Sequence, residues 1–128
     1  MTNLEQEIID HLRTICPSAK TIERAKSLND VPDVVNDLPA IYVFELEYDA
    51  EPPEYLNSNR QLLSPKVLLQ LAGPEQALLQ LRTETAALKD FTPTGYHRSL
   101  FRVSGKSLDV KPSAEWWSDV WCGYVFES

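Results

Sequence analysis

The 128 residues include only two cysteines, four glycines and two histidines, and each scarcity excludes a class of chemistry. Cys16 and Cys122 lie near opposite ends of the chain. A domain this long buries a core without covalent staples, so the expectation is two free, partly buried thiols in a reducing compartment. Gly73, Gly95, Gly105 and Gly123 are each isolated, which removes the usual backbone cradle for phosphate and the dinucleotide turn. His11 and Cys16 are five apart on a helical pattern and point nearly opposite ways, and His97 has no liganding neighbour at useful spacing. No metal site is expected. A nucleophile elbow is absent, and Cys122 sits inside an aromatic strand, where packing is the natural role of a thiol. Carboxylates are so numerous that any pairing could be imagined, and abundance carries no signal. The expectation is a non-enzyme with no cofactor. No apolar run approaches the roughly 20 residues of a membrane span. Met1 to Glu7 carries acids and lacks a basic start followed by an apolar run, so neither a secretory signal nor a membrane partner is expected, and a cytoplasmic setting is.

What is present is charge, unevenly placed. The formal net charge is −7. Eight acids (Asp30, Asp33, Asp37, Glu45, Glu47, Asp49, Glu51, Glu54) fall between Ser27 and Asn59 without one Lys or Arg. That leaves 11 of the 19 acids to set against all 12 bases elsewhere. From Lys89 to Lys111 the balance is basic, with Arg98, Arg102 and Lys106 between them and Asp90 and Asp109 opposing. One acidic and one basic surface describe how a protein meets partners, and say nothing about its fold. The basic stretch is modest beside the clusters that neutralise nucleic-acid phosphates, so specific nucleic-acid binding is not expected.

Hydrophobic periodicity supplies the elements. Thr2 and Glu5 stand at capping-box spacing, and Leu4, Ile8, Leu12 and Ile15 form one helical stripe ended by Pro17. Thr21 to Ala25 reads as a short strand, with Ile22 inward and Glu23 outward. Leu28 to Leu38, interrupted by Pro32, reads as a connection with at most one helical turn. Ile41 onward is rich in β-branched and aromatic residues and then alternates with acids, which marks a strand. Asp49 to Asn59, with Pro52 and Pro53, reads as a loop or the tip of a long hairpin. Pro65 is expected to confine the next strand to Lys66 to Ala72. Pro74 suits a first helical residue, and Leu78, Leu81, Thr85 and Leu88 mark a second helix. Thr92 to Gly95 is a turn, Arg98 to Ser104 a strand with Leu100 and Arg102 on one face and Phe101 and Val103 on the other, and Ser104 to Lys106 a tight bend. Glu115 to Phe126 is a final strand whose two apolar sets require a bulge at Asp119 or Gly123. Of its three tryptophans, Trp116 is the one expected at an interface. Helix, three strands, helix and two strands make an α+β domain, residues 1–128. Its single mixed or antiparallel sheet has about four to five strands, with two helices on one face.

The segments "LPAIYVFE", "KVLLQLAG", "ALLQLRTETAAL", "RSLFRVSGKSLD" and "WWSDVWCGYVFES", in this order after an amphipathic helix, together resemble the tail terminator family of long-tailed phages. Tail completion proteins of the Mu-like and lambda-like groups share the layout. The resemblance implies a self-associating ring, usually of six subunits, that caps the tail tube and ends its polymerisation. It also implies a surface for the head-completion or neck protein, a pore for DNA that passes without specific binding, and residence in the host cytoplasm during assembly and then in the virion tail. Glu45, Glu47, Asp49, Glu51, Glu54 and Tyr55 on the acidic side, and Arg98, Arg102, Lys106 and Trp116 on the other, are the candidate subunit or lumen contacts. A head–tail connector or neck adaptor, and an acidic inhibitor or immunity-type binding protein, are the alternative readings.

Overall fold

A computed structural model of the chain describes residues 4–32, 37–51, 62–107, 109–111 and 114–126. The first helix, α1, spans Leu4–Ile15 and is followed by β1, Thr21–Arg24, and a 3-10 turn at Leu28–Asp30. Two long strands, β2 (Ala40–Glu51) and β3 (Leu62–Gly73), precede α2 (Glu75–Thr85), which runs on as a 3-10 segment, Ala86–Asp90. The chain then forms β4 (Phe101–Ser107), β5 (Glu115–Cys122) and the two-residue β6, Val125–Phe126. Strand order is β1-β2-β3-β5-β4, with β6 beside β3 in continuation of β5. Only the β1–β2 pair is parallel. This is the expected α+β domain, a mixed sheet with two helices on one face.

Both helices are held by one stripe each. Ile8, Ile9 and Leu12 of α1 meet Leu78, Leu81 and Leu88 over Ile41, Val43, Leu69, Leu71 and Trp121 of the sheet. Each such side chain taken from water contributes about 1.5–3 kcal/mol. The four positions read as the stripe of the second helix, Leu78, Leu81, Thr85 and Leu88, are all buried. Pro74 is the cap of α2 rather than its first residue, and its carbonyl accepts from the Leu78 N–H at 2.8 Å. The Thr2 cap lies outside the described residues. A smaller cluster covers part of the other sheet face, where Ala40, Tyr42, Phe44, Ala72 and Trp116 pack with Ala25 and Val31.

Four expectations about the strands need correction. β3 does not stop at Pro65 but runs through it, because both neighbouring strands are irregular at that level. The β2 register shifts between Leu46 and Asp49, opposite Lys66 and Ser64. On the other side, β5 ends at Cys122 and β6 begins at Val125, so no ladder bond is asked of the missing Pro65 N–H, while the Pro65 carbonyl accepts from Gly123 N–H at 3.1 Å. β5 and β6 keep one register across that gap, with Lys66 opposite Cys122 and Leu63 opposite Val125. The final strand is thus interrupted rather than bulged. The bulge lies in β4, between Arg102 and Ser104, and it breaks the alternation read there. Ser104 to Lys106 is continuous strand, not a bend. Of the two readings of Asp49 to Asn59 the long hairpin holds, with Asp49 to Glu51 already inside β2 and Glu51 opposite Leu62.

Candidate functional site

The sheet carries its two charge types on opposite edges. β4 is the outermost strand on one side, and all seven of its residues are exposed. Among them are the apolar Phe101 and Val103, the second displaced outward by the bulge. Arg98, Arg102 and Lys106 make this edge basic, and no acid occurs from Phe91 to Ser107. On the opposite edge, β1 pairs with β2 only from Ala40 to Val43, reinforced by the Ala25 N–H to the Val43 carbonyl at 2.9 Å. The remaining β2 segment, Phe44 to Glu51, has no strand on that side among the described residues, and its sequence holds Glu45, Glu47, Asp49 and Glu51 without a base.

A buried carboxylate fastens the basic edge. Asp119 of β5 is fully buried; its Oδ1 accepts from Trp117 Nε1 at 2.8 Å and faces Arg102 Nε at 3.6 Å. Arg102 also lies 5.2 Å from the Trp121 ring centroid, and the Arg82 guanidinium from α2 stacks on Trp117 at 3.5 Å. Burial raises the Asp119 pKa above the ordinary aspartate value; the Trp117 hydrogen bond and the Arg102 and Arg82 charges pull the other way. Gly105 of β4 pairs with Asp119, and a Cβ there would stand 2.5 Å from Oδ1. Glycine is what lets β4 close on the carboxylate.

At the acidic edge, Glu45 is exposed yet shares a side-chain hydrogen bond with the buried Glu5 of α1. Burial first, and the Glu45 contact second, raise the Glu5 pKa against the lowering pull of Arg24, whose Nε is 3.6 Å from Glu5. A second carboxyl group this close favours the protonated form of Glu5.

The predicted interface residues therefore separate into groups. Glu45, Glu47, Asp49 and Glu51 fall on one strand, Arg102 and Lys106 on another at the far edge, and Arg98 is exposed just before it. Glu54 and Tyr55 lie outside the described residues. Trp116 is a correction. It is 3% exposed, packs against Tyr42, and donates from Nε1 to the Lys111 carbonyl at 3.0 Å. It is a core residue because its register partner is Ala72, which leaves room for an indole on that face. The half-buried tryptophan is Trp117. Sequence reading gave Glu5 to a helix cap and Asp119 to a bulge, and missed that both are buried, as it missed the buried Gln70–Ser118 hydrogen bond. The alternation Trp117, Asp119, Trp121 was the available signal that a carboxylate occupies a core-facing position.

Both cysteines are free and buried, and burial, with Glu84 second, pushes the Cys16 thiol up to about 12. His11 stacks on Phe91 with centroids 4.2 Å apart. Among the described residues no cluster of three or more His, Cys, Asp or Glu could hold a metal ion, and no helix is long and apolar enough to cross a membrane.

No protein-family model matches the chain, and no curated protein does. Among solved structures, the fold is similar to a chain of the virion of a native gene transfer agent particle. The identity is 14% and the TM-score 0.59, over 97% of this chain and 95% of that one. The likeness places the chain in the same α+β fold from end to end.

Proposed function

We propose that this chain is a structural assembly protein of a phage or phage-like particle, acting at the end of the tail tube. In this reading it closes into a ring, a simple arrangement for a subunit with two unlike edges, ends tube polymerisation and presents the surface that meets the head-completion or neck protein. The supporting observation is the end-to-end fold likeness to a chain of a gene transfer agent virion. The tail-end role itself comes from the sequence resemblance, and the basic and acidic edges supply the two different patches that a heterologous, ring-forming contact uses. DNA passes such a ring without specific contacts.

Electron microscopy of particles assembled without this chain tests the reading. Overlong or headless tails are the expected result. Normal tails with unattached or collapsed heads point to a neck adaptor instead, and normal complete particles overturn the assignment.

A further inference from the structure

We propose that β4 of one copy pairs with the open half of β2 of a second copy, so that the sheets of neighbouring subunits join edge to edge and head to tail. The inference rests on the self-association contained in the proposed function and adds which strands meet.

Among the described residues, two open edges of matching size motivate it. β4 offers seven residues, and β2 offers eight beyond Val43. A strand edge left open presents a row of backbone donors and acceptors that another strand satisfies. On β4 that row is flanked by Phe101 and Val103, 37% and 50% exposed. Apolar side chains this open on an edge strand are what a neighbouring strand covers.

Charge selects the pairing. Two copies meeting β4 to β4 bring Arg102 and Lys106 against their own kind, and two meeting β2 to β2 do the same with Glu45, Glu47, Asp49 and Glu51. Like charges across a strand pair are destabilising, whereas β4 against β2 sets bases opposite acids. A two-fold dimer through either edge is disfavoured, and a repeating head-to-tail contact is favoured.

Direction agrees. Each of β3, β5 and β4 runs antiparallel to the strand before it in the sheet, so β2 and β4 point opposite ways. A second copy displaced along the sheet, with its helices on the same side, brings its β2 antiparallel to β4. Following the register across the sheet puts Phe101 level with Cys122, Lys66 and Leu46. The open part of β2 reaches beyond that level, so the contact is staggered toward the end of the hairpin. In a closed ring such a stagger tilts the strands to the ring axis. Lysine and a bulge on an edge strand are also devices that keep a protein monomeric, and the experiment separates the two roles.

The test uses the full chain in sedimentation equilibrium up to its solubility limit, with thermal melts to verify folding. Arg98→Glu with Lys106→Glu reverses the basic edge and spares Arg102, which fastens β4. Glu47→Lys with Asp49→Lys reverses the charge at the centre of the acidic edge and spares Glu45, which contacts Glu5. Each double variant is expected to weaken self-association about tenfold or more, high salt is expected to weaken the parent likewise, and mixing the two variants is expected to restore association. Val103→Cys and Asp49→Cys, made in separate chains, are expected to cross-link when mixed, and the parent, with both thiols buried, is not. Association that survives both reversals overturns the edge assignment and leaves a ring of other geometry standing. A monomer at every concentration that also gives no cross-link overturns it as well. Normal particles in the absence of the chain remove the tail-end reading whatever the edges do.

Discussion

Arg102 Nε stands 3.6 Å from Asp119 Oδ1, joining a half-exposed cation on the edge strand to a carboxylate with no solvent exposure. The cation is too open to recover the full cost of burying its partner, so Asp119 retains a raised pKa, caused first by desolvation. An acid whose folded pKa lies above its unfolded value favours folding most when protonated. Its contribution is full below the unfolded pKa and is lost as pH rises through the folded one. Asp119→Asn removes this dependence. The parent is expected to gain stability relative to Asp119→Asn as pH falls from neutrality toward the ordinary aspartate pKa. Urea unfolding of both proteins across that range checks it; a difference that shrinks on acidification contradicts the account.

Glycine is required at Gly123 and optional at Gly73. A Cβ on Gly123 meets the Tyr96 ring at 2.5 and 2.7 Å and Leu100 at 3.0 Å, all in buried surroundings, whereas on Gly73 the nearest atoms are 3.5 Å away. Gly123→Ala is expected to cost about 1–3 kcal/mol through forced repacking. Gly73→Ala is expected to stay within about 0.5 kcal/mol of the parent, since the site accepts a methyl. Melting temperatures of the two variants decide it, and equal losses would contradict the packing described.

Leu81 and Leu79 are neighbours on α2 with opposite fates, 0% and 52% exposed. Leu81→Ala is expected to lose about 2–5 kcal/mol by emptying part of the core, and Leu79→Ala less than about 0.5 kcal/mol. Denaturant midpoints measure both. A large loss at Leu79 would mean that this face of α2 is covered.

The thiols should be silent in the native protein. Cys16 and Cys122 are both buried, and the Cys16 pKa of about 12 leaves almost no thiolate at neutral pH. A colorimetric thiol reagent is expected to label neither under native conditions and both in guanidinium. Rapid native labelling of Cys16 would show that its shelter opens.

The sequence by itself determined the two helices, the existence of the sheet and the turn read at Thr92 to Gly95, which closes one residue later with the Tyr96 N–H donating to the Pro93 carbonyl, because those depend on spacings within one segment. Leu78, Leu81, Thr85 and Leu88 recur as a helix demands, and the burial of all four follows directly. It also determined the separation of acidic and basic segments, since charge is counted along the chain. Tertiary structure decided what depends on a neighbour. Pro65 lies inside a central strand because the two strands beside it both break at its level. Gly105 is a strand residue because Asp119 occupies the space a side chain would take. Trp116 is buried and Trp117 half-exposed because register, not composition, assigns alternate residues to opposite faces. That the acidic and basic segments lie on opposite edges of one sheet was likewise settled by strand order, which no local pattern encodes.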